Sequence, residues 1–158
     1  MDRPQTSYLT PGRIAFALIA IGVFVIDHIT KGIVEAQIQF GTEVPVLGHL
    51  VGITNVRNSG AAFGFAPTFA TLFLIASVVV SIGLVVYVAR TSNPFWSDAV
   101  LGLVLGGTAG NGFDRLFYGT VTDFVNVHFW PVFNVADSAI SSTTPMLIAG
   151  NLIRKPPA

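Results

Sequence analysis

Two aspartates, Asp123 and Asp137, carry the chemistry that the sequence suggests most clearly. Each lies in an apolar stretch, and Arg115 is the nearest Lys or Arg to Asp123. Two carboxylates that lie close together in such surroundings cannot both ionise easily, so the pair holds one proton. The ionised member can take a proton from water while the protonated member polarises a carbonyl group, as in an aspartyl protease. Spacing alone leaves open a pair of solvated loop carboxylates.

A second charged pair, Asp27 and Lys31, lies four residues apart within an apolar segment. The acid precedes the base, which is the favourable order for an i,i+4 pair on a helix. The spacing predicts either a structural ion pair, with Lys31 reaching to the membrane interface, or a pair that shapes a site.

Two glycine-rich runs add polar side chains. The run Asn-Ser-Gly-Ala-Ala-Phe-Gly begins at Asn58 and includes Gly60. It forms a turn before a close-packed helix, or it presents Asn58 to a ligand. The second run ends with Asn111, Asp114 and Arg115, which share one helical face at i, i+3, i+4 spacing. There the Asp and Arg either neutralise each other or belong to a site.

Composition places the chain in a membrane. Its 158 residues are 52% hydrophobic and only 10% charged, with a mean hydropathy of +0.70, whereas soluble domains carry about 25% charged residues. The net charge of zero argues against a nucleic-acid partner. There is no Cys, and the three His lack the spacing of a zinc site, so no zinc site is expected.

The hydrophobic segments predict an all-α membrane protein with four transmembrane helices, in one domain covering residues 1–158. Phe69–Ala89 is a complete span by itself. The other three segments reach spanning length only if Asp27, Asp114 or Asp137 enters the membrane, which makes each a candidate functional residue. Asn134 is a suitable N-cap for the fourth helix. Asp137 would then lie near the N-terminus of that helix, where a negative charge is stabilised. The expected helices cover about 14–34, 66–89, 96–116 and 134–153.

The distribution of Lys and Arg predicts that both termini are cytoplasmic. All the candidate carboxylates then lie near the outer face of the membrane, with Asp123 in the outer loop after the third helix. Residues 36–60 should form a small β-rich flap on that face, with short strands at Val44–Leu47 and Val51–Val56 between glycines. The basic residues placed in the cytoplasm by this topology are Arg3, Arg13, Arg90, Arg154 and Lys155.

Five motifs in this order resemble those of the lipoprotein signal peptidases, the type II signal peptidases of bacteria. The resemblance extends from about Arg13 to Ile153, which is nearly the whole chain. The motifs are Asp27-x-x-Thr-Lys31, Asn58-x-Gly60-Ala-Ala-Phe, Gly-Asn111-x-x-Asp114-Arg115, Val-x-Asp123-Phe and Phe-Asn134-x-Ala-Asp137-Ser.

The resemblance implies an aspartyl endopeptidase of the bacterial cytoplasmic (inner) membrane. Such an enzyme removes the signal peptides of diacylglyceryl-modified prolipoproteins at the extracytoplasmic face, cutting before the lipidated Cys. Asp123 and Asp137 match the catalytic pair. Expected partners are this substrate and membrane lipid, with the chain acting as a monomer, and the resemblance implies no metal or organic cofactor. The resemblance also implies substrate-binding roles for Asn58, Asn111, Arg115 and Asn134, and supporting roles for Asp27, Lys31, Gly60 and Asp114.

The chain departs from the family pattern in three places. The segment between Asp123 and Asp137 is short, Gly112-Phe113 replaces an aliphatic pair, and the fourth helix has a polar run before Pro145 that should kink it. Two other functions remain open from the sequence. One is a small transporter or channel that uses buried carboxylates, and the other is an inactive relative that binds lipidated peptides.

Overall fold

The computed structural model describes residues 9–60 and 66–153. It contains four long helices and a small sheet. The first helix starts three residues before the expected segment 14–34 and ends three residues after it, and the other helices lie within two residues of the expected bounds. The elements in chain order are α1 (Pro11–Gln37), β1 (Glu43–Leu47), β2 (Val51–Asn58), α2 (Ala66–Arg90), α3 (Phe95–Tyr118), β3 (Val121–Asn126) and α4 (Val135–Ile153).

Some residues used in the sequence analysis lie outside the described ranges. They are the Ala-Ala-Phe-Gly part of the run that begins at Asn58, and three of the basic residues that predict the orientation, Arg3, Arg154 and Lys155.

The start of α1 is tied to the end of α2. Thr10 caps α1 by accepting a hydrogen bond from the backbone N–H of Arg13 at 3.3 Å. The Arg13 guanidinium donates to the carbonyls of Val88 (3.1 Å) and Ala89 (2.8 Å) in the last turn of α2, where the helix leaves carbonyls without partners. The two ends therefore lie side by side.

Helix α3 packs against each of the other three helices, and glycines make this possible. A Cβ at Gly106 would lie 2.6 Å from the carbonyl oxygen of Ala20 in α1. One at Gly107 would lie 2.5 Å from that of Ala136 in α4. Neither distance leaves space for a methyl group, so these positions set how closely α1 and α4 approach α3.

The three strands form one antiparallel sheet in the order β1-β2-β3. The expected flap accounts for β1 and β2. The prediction that Asp123 lies in the outer loop after the third helix is wrong, because this residue is on β3. Strand β3 joins the sheet from between α3 and α4. Its first four residues are all buried, including Thr122 and Asp123, because their polar groups find partners in other elements. Burial of both faces removes the polar–apolar alternation by which a half-exposed strand is recognised.

Two helices are long and apolar enough to cross a membrane: α1 and the Phe69–Arg90 part of α2. Most apolar side chains of α2 are exposed, including Leu72, Ile75 and Val79, as expected of a surface that faces lipid. Within the described residues, α3 and α4 are too polar to meet the same standard. Spanning by all four helices stays a prediction. The described helix α4 continues through Pro145.

Candidate active site

Asp123 is buried in the sheet and held by two asparagines. Its side chain lies on β3 and is 2% exposed. The amide of Asn58, from β2, donates to one carboxylate oxygen at 2.8 Å. The amide of Asn134, just before α4, donates to the other at 2.7 Å. Both oxygens therefore have a hydrogen-bond partner.

Asp137 lies in the first turn of α4 and forms a reciprocal cap with Asn134. The backbone N–H of Asp137 donates to the Asn134 side chain at 2.8 Å, and the backbone N–H of Asn134 donates to the Asp137 carboxylate at 3.3 Å. This is the geometry of a capping box, and it confirms Asn134 as the N-cap. The amide of Asn111 donates to the other Asp137 oxygen at 2.7 Å.

Asn134 links the two aspartates directly. It is fully buried, and its amide also donates to the side-chain oxygen of Asn111 at 3.1 Å. Asp123 and Asp137 are thus joined by one asparagine that contacts both, and by a second path through Asn111. The structure brings together both aspartates and three of the four asparagine and arginine residues expected to bind substrate, namely Asn58, Asn111 and Asn134.

The environment of Asp123 changes its acidity. Burial raises the pKa of this carboxyl group from its usual value to about 6. The hydrogen bonds from Asn58 and Asn134 oppose the rise, and the nearby charge of Asp137 adds to it. An Asp with a pKa near 6 holds its proton far more readily than an exposed one, which suits a carboxyl group that must act as an acid.

Lys31 is the centre of a buried charge cluster that is linked to Asp137 through Asn111. Its ammonium lies 2.5 Å from Asp27, 2.6 Å from Asp114 and 3.1 Å from the side-chain oxygen of Asn111. Lys31 is only 4% exposed, so it turns inward rather than extending to the interface. Asp114 therefore pairs with a base on α1. Because Lys31 holds the Asn111 oxygen, the NH2 of that amide faces Asp137.

Asp27 also positions the helix that carries Asp137. Its second carboxylate oxygen accepts the backbone N–H of Ala136 at 2.9 Å, in the first turn of α4, where N–H groups lack partners within the helix. The α3 backbone passes close by, since a Cβ at Gly110 would lie 2.9 Å from the Asp27 carboxylate.

Gly60 orients Asn58. Its backbone has a φ of 77°, in the left-handed region that glycine adopts without strain. This turn lets the Gly60 N–H donate to the Asn58 side-chain oxygen at 2.7 Å. The NH2 of Asn58 is then left to face Asp123.

Arg115 lies beside this network, close enough for its charge to act on both Asp123 and Asp137. It donates to the backbone carbonyl of Asn111 at 3.2 Å, and its guanidinium lies 5.3 Å from the centre of the Phe73 ring. It lines a cavity of about 420 Å³ with Ser59 and Tyr118, among others. A guanidinium exposed to a cavity is suited to bind a carbonyl or lipid headgroup.

A second cavity, of about 290 Å³, opens beside Asp137. Asn58 and Asp137 form its polar side, and Trp130, Phe133 and Ile140 contribute apolar walls. A cavity with this mixed lining can hold a peptide backbone against a carboxylate. Among the described residues, no group of three or more His, Cys, Asp and Glu is arranged to hold a metal ion.

Two residues near the site were missed from the sequence, Glu35 and Thr122. The Thr122 hydroxyl donates to the Glu35 carboxylate at 2.5 Å. The position of Thr122 beside Asp123 was a usable signal. Nothing in the sequence marks Glu35, because its partners are 22 and 87 residues away.

Comparison with solved structures defines the class of fold. The chain is similar to two structures of a bacterial membrane enzyme determined by the in meso method at 2.3 and 1.9 Å resolution. The second has a TM-score of 0.80 and 30% sequence identity, covering 89% of this chain and 94% of that chain. The fold is that of a membrane enzyme.

Sequence comparison identifies the family. The model of the family described as signal peptidase (SPase) II matches residues 19–153. The lipoprotein signal peptidase of Rhodococcus jostii (strain RHA1) is 42% identical over 89% of this chain and 74% of that protein. That of Pseudomonas aeruginosa (strain PAO1) is 37% identical over 86% of each. The chain belongs to the signal peptidase II family and is a peptidase.

Proposed function

We propose that this chain is an aspartyl endopeptidase that removes signal peptides from diacylglyceryl-modified prolipoproteins. It cuts before the lipidated Cys, and Asp123 and Asp137 are its catalytic pair. The observation that carries the proposal is the asparagine bridge, in which Asn134 contacts both carboxylates within a buried site. Membership of the family supports the same activity, since the relatives are named lipoprotein signal peptidases.

The reaction begins when the ionised carboxylate of Asp137 takes a proton from water. Asp137 is at the N-terminal turn of α4, where a negative charge is stabilised. It also lines the cavity of about 290 Å³ that can hold the peptide. Protonated Asp123 donates a hydrogen bond to the carbonyl of the scissile bond. The water oxygen then adds to the carbonyl carbon, the C–N bond breaks, and the leaving amine takes up a proton from the pair.

The transporter alternative has no support in the charge cluster. A carboxylate that carries ions or protons across a membrane must be able to exist without a permanently bound cation. Asp27 and Asp114 both lie within 2.6 Å of Lys31. This arrangement suits a structural role. In the part of the chain that the structure describes, Asp123 and Asp137 have only neutral amide groups as hydrogen-bond partners, so they are the carboxylates available for proton transfer.

The membrane arrangement forms part of the proposal. All four helices span the bacterial cytoplasmic membrane, both termini are cytoplasmic, and the site faces outward. The protein acts as a monomer. Because the chain has no Cys, single cysteines can test this topology in intact cells with a thiol reagent that does not cross membranes. Phe129→Cys, at an 86% exposed position, should be labelled, whereas Ser92→Cys should not; the reverse pattern would refute the orientation.

The activity is tested by cleavage of a diacylglyceryl-modified prolipoprotein in detergent. Wild type should cleave this precursor but not the same precursor without its lipid. Asp123→Asn and Asp137→Asn should each reduce kcat by about 10²- to 10⁴-fold, the usual contribution of acid–base catalysis, while the folded protein is retained. Near-normal cleavage by either variant would refute the catalytic pair. Absence of cleavage by folded wild type would refute the function itself.

A further inference from the structure

We propose that Glu35 is a positioning residue that fixes the register of the strand carrying Asp123. The inference rests on the proposed function for its catalytic meaning. Glu35 lies in the last turns of α1, on no motif of the sequence and in none of the hydrogen bonds to the aspartates. It binds two neighbours of the site residues instead.

Glu35 bridges a cross-strand pair. One carboxylate oxygen accepts the hydroxyl of Thr122 at 2.5 Å and lies 3.2 Å from the guanidinium of Arg57. Arg57 on β2 and Thr122 on β3 are register partners in the sheet. A single carboxylate on α1 therefore holds both strands at the same rung of the ladder.

This rung is one residue away from the site on each strand. Asn58 follows Arg57, Asp123 follows Thr122, and the Asn58 amide donates to Asp123 at 2.8 Å. Successive side chains of a strand point to opposite faces. Glu35 therefore holds the sheet from the face opposite to the one on which Asn58 and Asp123 meet.

The β2–β3 pairing is irregular close to the site, so its register needs a contact that fixes it. The pairing shifts between Ile53 and Val56, immediately before the rung at Arg57. A shift of one residue would move every side chain of β3 to the other face, and Asp123 would then lose its asparagine partners. Thr122 is only 1% exposed, so its hydroxyl also depends on Glu35 for a side-chain partner.

The sheet offers a matched control in Glu43. This carboxylate on β1 also binds β3, accepting the amide of Asn126 at 2.7 Å. Asn126 is three residues beyond Asp123 and pairs with Gly52, on the other side of the register shift. Removal of Glu43 therefore deletes a similar link from the same sheet without touching the rung beside Asp123.

The experiment compares Glu35→Ala, Thr122→Val and Glu43→Ala in the full-length protein in detergent, with kcat and KM for the lipidated precursor. Glu35→Ala and Thr122→Val should each lower kcat by about 10- to 100-fold, as expected when a catalytic group is displaced, with KM within about twofold. The double variant should be little worse than either single one, because both remove the same contact. Thr122→Ser, which keeps the hydroxyl, should retain activity near that of wild type, as should Glu43→Ala.

A second measurement does not depend on peptidase activity. Hydrogen exchange of the β3 amides, followed by mass spectrometry, should be about tenfold faster in Glu35→Ala than in wild type, with the helices unchanged. Uniformly faster exchange with unchanged kcat would mean general stabilisation only, and would overturn the proposal, as would no effect on β3. If wild type cleaves no precursor while β3 exchanges faster in Glu35→Ala, the role of Glu35 in holding β3 is supported and the proposed function is refuted.

Discussion

The backbone N–H of Ala136 donates to the carboxylate of Asp27 at 2.9 Å, although the two residues are 109 positions apart. The same carboxylate binds Lys31, which holds the Asn111 amide that donates to Asp137. One acid on the first helix therefore fixes both the start of the last helix and the amide that faces its aspartate. Two of the residues that the sequence marked as supporting, Asp27 and Lys31, therefore help to place Asp137.

The pH dependence of cleavage should reflect the last proton of the aspartate pair. Burial raises the pKa of Asp123 to about 6, so this group is protonated below that pH and loses its proton above it. Because the mechanism needs one proton on the pair, kcat/KM should fall as pH rises through about 6. The pH profile of kcat/KM, which reports the free enzyme, checks this. A profile that rises through the same range would contradict protonated Asp123 as the acid.

Asn58→Ala should move that descending limb to higher pH. The Asn58 amide donates to the Asp123 carboxylate and lowers its pKa, so removing the amide raises the pKa further. The expected displacement is about 0.5 to 1 pH unit. Asn126→Ala is the control, because that amide donates to Glu43 instead. A limb that stays in place in Asn58→Ala, or moves equally in both variants, would refute the assignment.

Lys31→Met should destabilise the protein strongly. It leaves Asp27 and Asp114 close together in a buried site without their cation, and breaking a buried ion pair in this way costs about 3–5 kcal/mol. Thermal unfolding in detergent measures the loss. Adding Asp27→Asn and Asp114→Asn to Lys31→Met removes the uncompensated charges and should restore part of the stability. A Lys31→Met protein as stable as wild type would contradict the ion-pair cluster.

Gly107→Ala should impair folding and activity together. A Cβ there would lie 2.5 Å from the Ala136 carbonyl oxygen, so α4 must move away from α3 and take Asp137 with it. Gly22→Ala is the matched control, since a Cβ at Gly22 meets no atom within 4 Å. That change should leave cleavage intact and, by helix propensity, raise stability by up to about 1 kcal/mol. Equal effects of the two substitutions on kcat would contradict the close α3–α4 contact as the cause.

The sequence by itself determined the class of fold and most of the site. Low charge and apolar segments forced a helical membrane protein, because ionised side chains are costly in lipid. For the same reason the few ionisable residues left in apolar segments had to be paired or functional. This identified Asp27, Lys31 and Asp114 as well as the aspartate pair, and the order of the motifs indicated the family.

Only the tertiary structure decided how these residues are connected. Asp123 lies on a buried strand rather than in a loop, and Glu35 anchors that strand from 87 residues away. Strand pairing and contacts between helices depend on which distant segments meet. Local patterns of hydrophobicity and charge do not predict these contacts, because the contacts form between segments that are remote in the chain. The asparagine bridge between Asp123 and Asp137 exists only because β3 and the start of α4 are brought to the same place.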